Sequence, residues 1–272
     1  MEADLQRRVQ RYGWDKAAAY YEQFWGMQLK PAQDLLLAEA ALEPGDRVVD
    51  LACGTGLVTF PAAEQVGPNG RVVGTDISEQ MVVTAREEAK RRGLAAEFAR
   101  MDAEALKLAD AAFDVALCCL GLMYVPDPGR ALAEMRRVLV PGGRAVAAVW
   151  GARKNCGWAE IFPIVERRVA SDVCPLFFGL GGGDALKATF DAAGFEATRA
   201  VRIDVVLEYR SAEDAIGAAF AGGPVALAYA RFDPPTKEGA HAEYLESIEP
   251  FRKGPGYAIP GEFVVASGRR PG

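Results

Sequence analysis

The stretch from Val48 to Gly56, Val-Val-Asp-Leu-Ala-Cys-Gly-Thr-Gly, constrains the architecture of this chain more than any other segment. Its β-branched, apolar opening reads as a buried strand over Arg47 to Leu51. The strand runs into a tight turn in which Gly54 and Gly56 lack a Cβ where the backbone must bend sharply or come close to a ligand. A helical stretch follows to Gly67. The first N–H groups of that helix have no partner within it, which favours a carboxylate or another anion nearby. Taken alone, the turn serves equally well as a plain strand-to-helix connection.

The pattern repeats downstream. Pro68-Asn69-Gly70 is a turn, and Arg71 to Ile77 is a second strand. Ser78 is a good N-cap for a helix running to Arg92, with Gly93 as its stop. Ala96 to Met101 and Asp114 to Leu120 read as strands three and four, the latter buried on both faces. A helix over Pro128 to Leu139 ends at Pro141-Gly142-Gly143, and Arg144 to Trp150 is a fifth strand. Parallel strands require crossovers, so this alternation predicts an α/β fold: a Rossmann-like, mostly parallel, seven-stranded sheet with helices on both faces. Residues 1–45 read as an aromatic-rich helical cover, broken at Lys30-Pro31. Residues 46–272 are expected to form one catalytic domain. Further helices are expected over Trp158 to Ala170, Asp184 to Ala193, Ser211 to Phe220 and Glu238 to Glu249, with strands over Thr198 to Glu208 and Glu262 to Ser267. Insertions at about 151–183 and 211–256 are expected to form a lid.

Composition narrows the partners. With 31 basic against 37 acidic residues the formal charge is −6, and the one dense basic run, Lys90-Arg91-Arg92, sits where a helix C-terminus favours cations. Nucleic acid is therefore not the expected partner. Met1 to Gln10 is charged throughout, unlike a secretory signal, and Val115 to Val125 is too short to span a bilayer. The cysteines, Cys53, Cys118, Cys119, Cys156 and Cys174, are odd in number and lack C-x-x-C spacing, which suits a reduced cytoplasmic protein. With His241 as the single histidine, no metal site is expected.

The second strand ends on Asp76, twenty residues beyond Gly56, where an acidic side chain can accept both hydroxyls of a ribose. A dinucleotide site shares that feature. However, the third glycine of G-x-G-x-x-G, counted from Gly54, is replaced by Thr59, so the nicotinamide fingerprint is incomplete.

These motifs together resemble the class I S-adenosylmethionine-dependent methyltransferases, specifically the small-molecule group typified by the ubiquinone/menaquinone biosynthesis methyltransferases. The resemblance rests on VVDLACGTG (48–56), VVGTDIS (72–78), RMDAEAL (100–106), FDVALCCLGLMYVPDP (113–128) and ALAEMRRVLVPGGRAVAAVW (131–150). It is strong over about residues 46–150 and weak beyond. It implies S-adenosylmethionine as cofactor and S-adenosylhomocysteine as product. It also implies that Asp76 holds the ribose diol, that Ile77 and Met81 flank the adenine, and that Asp102 with Ala103 reads the adenine edge, with Met101 also binding the cofactor. Ala52, Gly54 and Gly56 would meet the methionine portion through backbone atoms, with Asp50 anchoring the turn; Cys53, and Cys119 at the end of the fourth strand, would also bind the cofactor. Tyr20, in the Ala-Ala-Ala-Tyr-Tyr run, resembles a residue of the helix that covers the cofactor in relatives; plain packing is the alternative. Asp102 could instead be a post-strand cap, and Ile77 and Met81 could be core.

The implied reaction moves a methyl group to an O, N or C atom of a small, largely apolar metabolite. A catalytically silent S-adenosylmethionine-binding scaffold or regulator is the alternative, and a homodimer is left open. Tyr124 and His241 are the candidate bases, although each could equally serve packing; a base is needed only if the acceptor must lose a proton. Trp158, Phe162, Phe177 and Phe178, followed by Gly181-Gly182-Gly183, suggest a mobile apolar lid, with permanent packing against the sheet edge as the alternative.

Overall fold

A computed structural model describes residues 2–169 and 177–272. Cys174 and the end of the helix expected to reach Ala170 lie outside them. The N-terminal helices are α1 (Ala3–Trp25) and α2 (Lys30–Ala40), divided at the predicted break. The alternating core is β1 (Arg47–Leu51), α3 (Thr59–Val66), β2 (Arg71–Asp76), α4 (Glu79–Arg92), β3 (Ala96–Arg100), β4 (Phe113–Cys119), α5 (Pro128–Val138) and β5 (Leu139–Trp150). Then come α6 (Ile161–Glu166), α7 (Ala185–Ala192), β6 (Glu196–Tyr209), α8 (Ala212–Ile216), α9 (Ala226–Tyr229), α10 (Pro234–Ile248), β7 (Arg252–Lys253) and β8 (Gly256–Arg269).

The sheet order is β3-β2-β1-β4-β5-β8-β6, parallel from β3 to β5 and antiparallel where β8 meets β5 and β6. The two-residue β7 pairs with β8 as an eighth strand, which the periodicity is too short to reveal. Val48, Val49, Val115, Ala116, Leu117 and Val146 are fully buried, because central parallel strands are covered on both faces. Ser78 caps α4 as expected: its Oγ accepts from the Met81 N–H at 3.1 Å.

Several boundaries differ from the sequence expectation for local reasons. Strand β5 starts at Leu139 because Pro141-Gly142-Gly143 forms a bulge instead of a stop. Gly142 N donates to the Arg270 carbonyl at 2.9 Å, and Arg270 N to that of Gly143 at 2.8 Å. The helix expected from Ser211 to Phe220 ends as α8, then widens into a π turn over 217–221. Gly217 sits there against Phe24, whose ring a Cβ would strike at 2.3 Å. Helix α10 begins at Pro234, not Glu238, since prolines fit the first helical positions and Asp233 Oδ1 caps Thr236 N at 2.9 Å.

Candidate active site

At the carboxyl ends of the parallel strands lies a cavity of about 950 Å³, including its open mouth. It follows the sheet edge from β3 to β5, and its walls change character on the way. Asp76, Asp102 and Glu104 line the β2–β3 end, whereas Leu120, Tyr124, Trp150, Trp158 and Phe177 line the β4–β5 end. From β3 to β5 there are four inter-strand spacings of about 4.8 Å, a span of roughly 19 Å. A smaller cavity of about 310 Å³ adjoins it and shares Ala52, Gly54 and Cys119.

The β1 turn is built as its glycines imply. Ala52, Gly54 and Gly56 have positive φ values of 52°, 56° and 96°. Ala52 is a strained residue of the kind found at ligand sites. It is tolerated because residue 121 is glycine; a Cβ there would lie 2.4 Å from that of Ala52. Gly56 lies outside both cavity linings and backs onto Phe60, whose ring would be 2.6 Å from an added Cβ.

Asp76 is buried at the end of β2. Its Oδ2 accepts from Gly54 N at 2.9 Å and its Oδ1 from Ser78 N at 2.8 Å. The Ile77 N–H also bonds to it, and of a carboxylate's about four acceptor positions room remains for a ribose hydroxyl. Burial pushes this carboxyl up to about 6, against the pull of the Ser78 and Gly54 N–H groups. Asp50 accepts from the Thr59 hydroxyl at 2.6 Å through Oδ2. Its buried Oδ1 has no partner among the described residues. Burial raises this group to about 7, with the Thr59 bond opposing and the Asp76 charge adding. An unpaired carboxylate oxygen beside the smaller cavity, which Asp50 also lines, suits an ammonium group such as that of a methionine moiety. The acceptor geometry at Asp50 and Asp76 thus fits an S-adenosylmethionine-like molecule.

Ile77, Met81, Met101, Asp102 and Ala103 all line the larger cavity. Asp102 Oδ1 accepts from Glu104 N at 2.9 Å, the cap that the sequence allows, and its Oδ2 meets Arg7 Nε at 2.9 Å. Cys53 lines the smaller cavity. Burial raises the thiols of Cys53 and Cys119 well above their usual range and that of Cys118 to about 12, so none is a thiolate nucleophile.

Two expected site residues stand elsewhere. Tyr20 is 47% exposed on the outer side of α1, and its neighbour Tyr21 lines both cavities instead. The inner face of α1 runs Arg7, Gln10, Trp14, Tyr21 and Trp25, a helical repeat that assigns the second tyrosine inward. His241 lines neither cavity; its Nε2 lies 3.0 Å from the Tyr229 hydroxyl, and burial, then Lys237, lowers its pKa. Tyr124 does face the cavity, edge-on to Trp14 at 5.1 Å and to Phe177 at 5.4 Å.

Helix α1 is fastened over the polar end at two points that sequence reasoning did not find. Arg7 Nη2 reaches buried Glu104 Oε2 at 2.9 Å. One side of Asp15 accepts from Ser78 Oγ at 2.6 Å and Gln80 N at 3.1 Å. Burial holds the Glu104 carboxyl above its ordinary range, with Arg7 opposing. The segment after β5 is tied by buried Glu262, which accepts from Ala152 N at 2.8 Å and Asn155 Nδ2 at 3.0 Å. Arg202 links Glu262 to the carbonyls of Gly181 and Gly183.

Residues 48–143 match the family described as "Methyltransferase domain". The ubiquinone/menaquinone biosynthesis C-methyltransferase UbiE of Cupriavidus taiwanensis is 35% identical over 143 residues, 50% of this chain and 59% of that protein. The chain thus spans little more than half the length of this curated relative. Among solved structures, the YcgJ protein of Bacillus subtilis superposes with a TM-score of 0.64 at 17% identity, covering 89% of this chain and 99% of that one. Phosphoethanolamine N-methyltransferase 2 of Haemonchus contortus, solved with S-adenosyl-L-methionine, gives 0.62 at 15% identity over 95% of this chain and 57% of that one. At such identities the two structures speak for the fold alone. The sequence match over residues 48–143, the sheet order and the cavity at the strand ends point the same way: this chain is similar to the class I methyltransferases, and over about half its length to the ubiquinone/menaquinone C-methyltransferases.

Proposed function

We propose that this protein transfers a methyl group from S-adenosylmethionine to an O, N or C atom of a small, largely apolar metabolite. One observation carries the reading: a single cavity joins the carboxylate-lined end beneath α1 to an aromatic end at β4 and β5. In this reading Asp76 holds the ribose, Asp102 the adenine edge and the β1 turn with Asp50 the methionine portion. Residues 1–45 cover the cofactor, and the described residues of the segments 151–183 and 211–256, among them Trp158, Phe177 and Pro224, enclose the acceptor. The free cysteines among the described residues accord with a reducing, cytoplasmic setting.

The bound cofactor supplies an electrophilic methyl on a sulfonium. The protein's contribution is to align the acceptor and keep water out, which can be worth roughly 7–11 kcal/mol at its upper range. No carboxylate, histidine or lysine stands among the described residues lining the aromatic end. Burial, with the nearby Asp76 charge adding, keeps the Tyr21 hydroxyl protonated. Positioning is therefore the main catalytic device, and Tyr124 is the remaining candidate for handling a proton.

Incubating the full chain with S-adenosylmethionine and a panel of phenols, quinol precursors and amines, then measuring S-adenosylhomocysteine, tests the proposal. Turnover with flat, apolar acceptors supports it. A silent panel beside intact cofactor binding favours a binding protein without catalysis.

A further inference from the structure

Two tryptophans at the aromatic end differ in what their ring nitrogens meet. Trp25 donates its indole N–H to the Ala218 carbonyl at 3.2 Å. Trp158 is 3% exposed and lines the cavity, with its ring 4.8 Å from Trp150 and 6.0 Å from Trp25, centroid to centroid. Its Nε1 is buried and has no hydrogen-bond partner among the described residues. Native proteins rarely leave a buried donor dry, because the group loses its water and gains nothing in return. Indole nitrogen only donates, so whatever completes it must bring an acceptor atom.

The neighbours at that end are rings and aliphatic groups, among them Trp150, Phe177, Leu29 and Met123. Such walls favour a flat, apolar molecule but give it little polar definition. We propose that the Trp158 N–H supplies that definition by donating to an oxygen carried on an otherwise apolar, planar acceptor molecule. The inference rests on the reading of this cavity as the acceptor site, and it makes Trp158 a specificity contact for that site. A substrate lacking the oxygen leaves the donor dry, so the cavity discriminates against it. The competing partner is a ring face: Phe177 stands at 86° to Trp158, with centroids 5.6 Å apart.

With four tryptophans in the chain, the indole N–H signals can be followed individually in ¹⁵N-labelled full-length protein saturated with S-adenosylhomocysteine. Trp158→Phe identifies the Trp158 signal by its loss while keeping an aromatic ring in place. The probes are indan-1-one and indane, which share a skeleton and differ in the carbonyl. The Trp158 signal should move downfield with indan-1-one and not with indane, and W158F should weaken indan-1-one binding about tenfold while leaving indane unaffected. A Trp158 proton already shifted upfield by a ring and unmoved by indan-1-one would overturn the inference. So would equal binding of the two probes, or binding of neither. If W158F does not fold, the wild-type titration decides: no indole signal responding selectively to indan-1-one refutes the contact. A silent methyl-transfer panel with this response intact would remove the catalytic reading and leave the contact standing. Turnover without the response would do the reverse.

Discussion

Replacing Arg7 with alanine removes the cation that faces two carboxylates from the first helix. Glu104 is the costly partner: its side chain is 1% exposed, against 24% for Arg7 and 27% for Asp102. Breaking a buried pair from one side costs about 3–5 kcal/mol; with Arg7 partly in water, about 2–3 kcal/mol is expected here. In a chain of this size that lowers the melting temperature by roughly 4–10 °C. The loss should depend on pH, with a definite sign. Burial raises the folded-state pKa of Glu104 above 4.5, and Arg7 opposes that rise. A carboxyl with a raised folded-state value contributes stability below its unfolded value and loses it as pH climbs through the folded one. Without Arg7 the folded value climbs further and the loss widens. Scanning calorimetry of wild type and R7A should therefore show a small difference near pH 4.5 and the full one near pH 8. Adding Glu104→Gln should recover much of it, since the uncompensated charge is gone. An R7A penalty that is absent, or equal at both pH values, would refute the account of α1 as fastened through Glu104.

Other outcomes follow from the same contacts. Asp50 is pushed up to about 7 by burial, so its contribution to stability is lost as pH rises through about 7; Asp50→Asn should flatten the melting-temperature profile of the ligand-free protein between pH 4 and pH 8. Gly56→Ala combines a φ of 96° with a Cβ 2.6 Å from the Phe60 ring, and should cost about 1–3 kcal/mol in a denaturant titration. Arg202→Ala frees the carbonyls of Gly181 and Gly183 and unpairs Glu262. Amide exchange should then quicken over 151–157 and 177–183, and should stay unchanged in α3.

Much of the α/β core was legible because local chemistry and global fold agree there. The apolar runs of β1 and β4, the Ser78 cap and the glycines of the β1 turn each state their structure within a few residues. The motif residues Asp76, Ile77, Met81, Asp102 and Ala103 then fall on one cavity because parallel strands bring their carboxyl ends together. What was not legible depends on contacts distant in sequence. The Arg7–Glu104 pair spans 97 residues, and the tie of Glu262 to Asn155 spans 107; nothing local announces either. Tyr20 and Tyr21 differ in facing by one step of a helix, and the Arg7, Trp14, Tyr21, Trp25 repeat would have separated them. The helix expected from Glu238 begins at Pro234, because the prolines fit its first turn. Gly181 to Gly183 suggest freedom, yet two of their carbonyls are held by Arg202.

The central claim is that Asp76, at the end of β2, is the anchor of an adenosyl group. Isothermal titration of S-adenosylhomocysteine into wild type and Asp76→Ala at pH 7.5 tests it most directly, with circular dichroism confirming that both are folded. Charge-assisted hydrogen bonds from a ribose diol are worth about 1.5–3 kcal/mol each, so the substitution should weaken binding at least about tenfold. An Asp76→Ala protein that is folded and binds S-adenosylhomocysteine as tightly as wild type would contradict the assignment of this cavity.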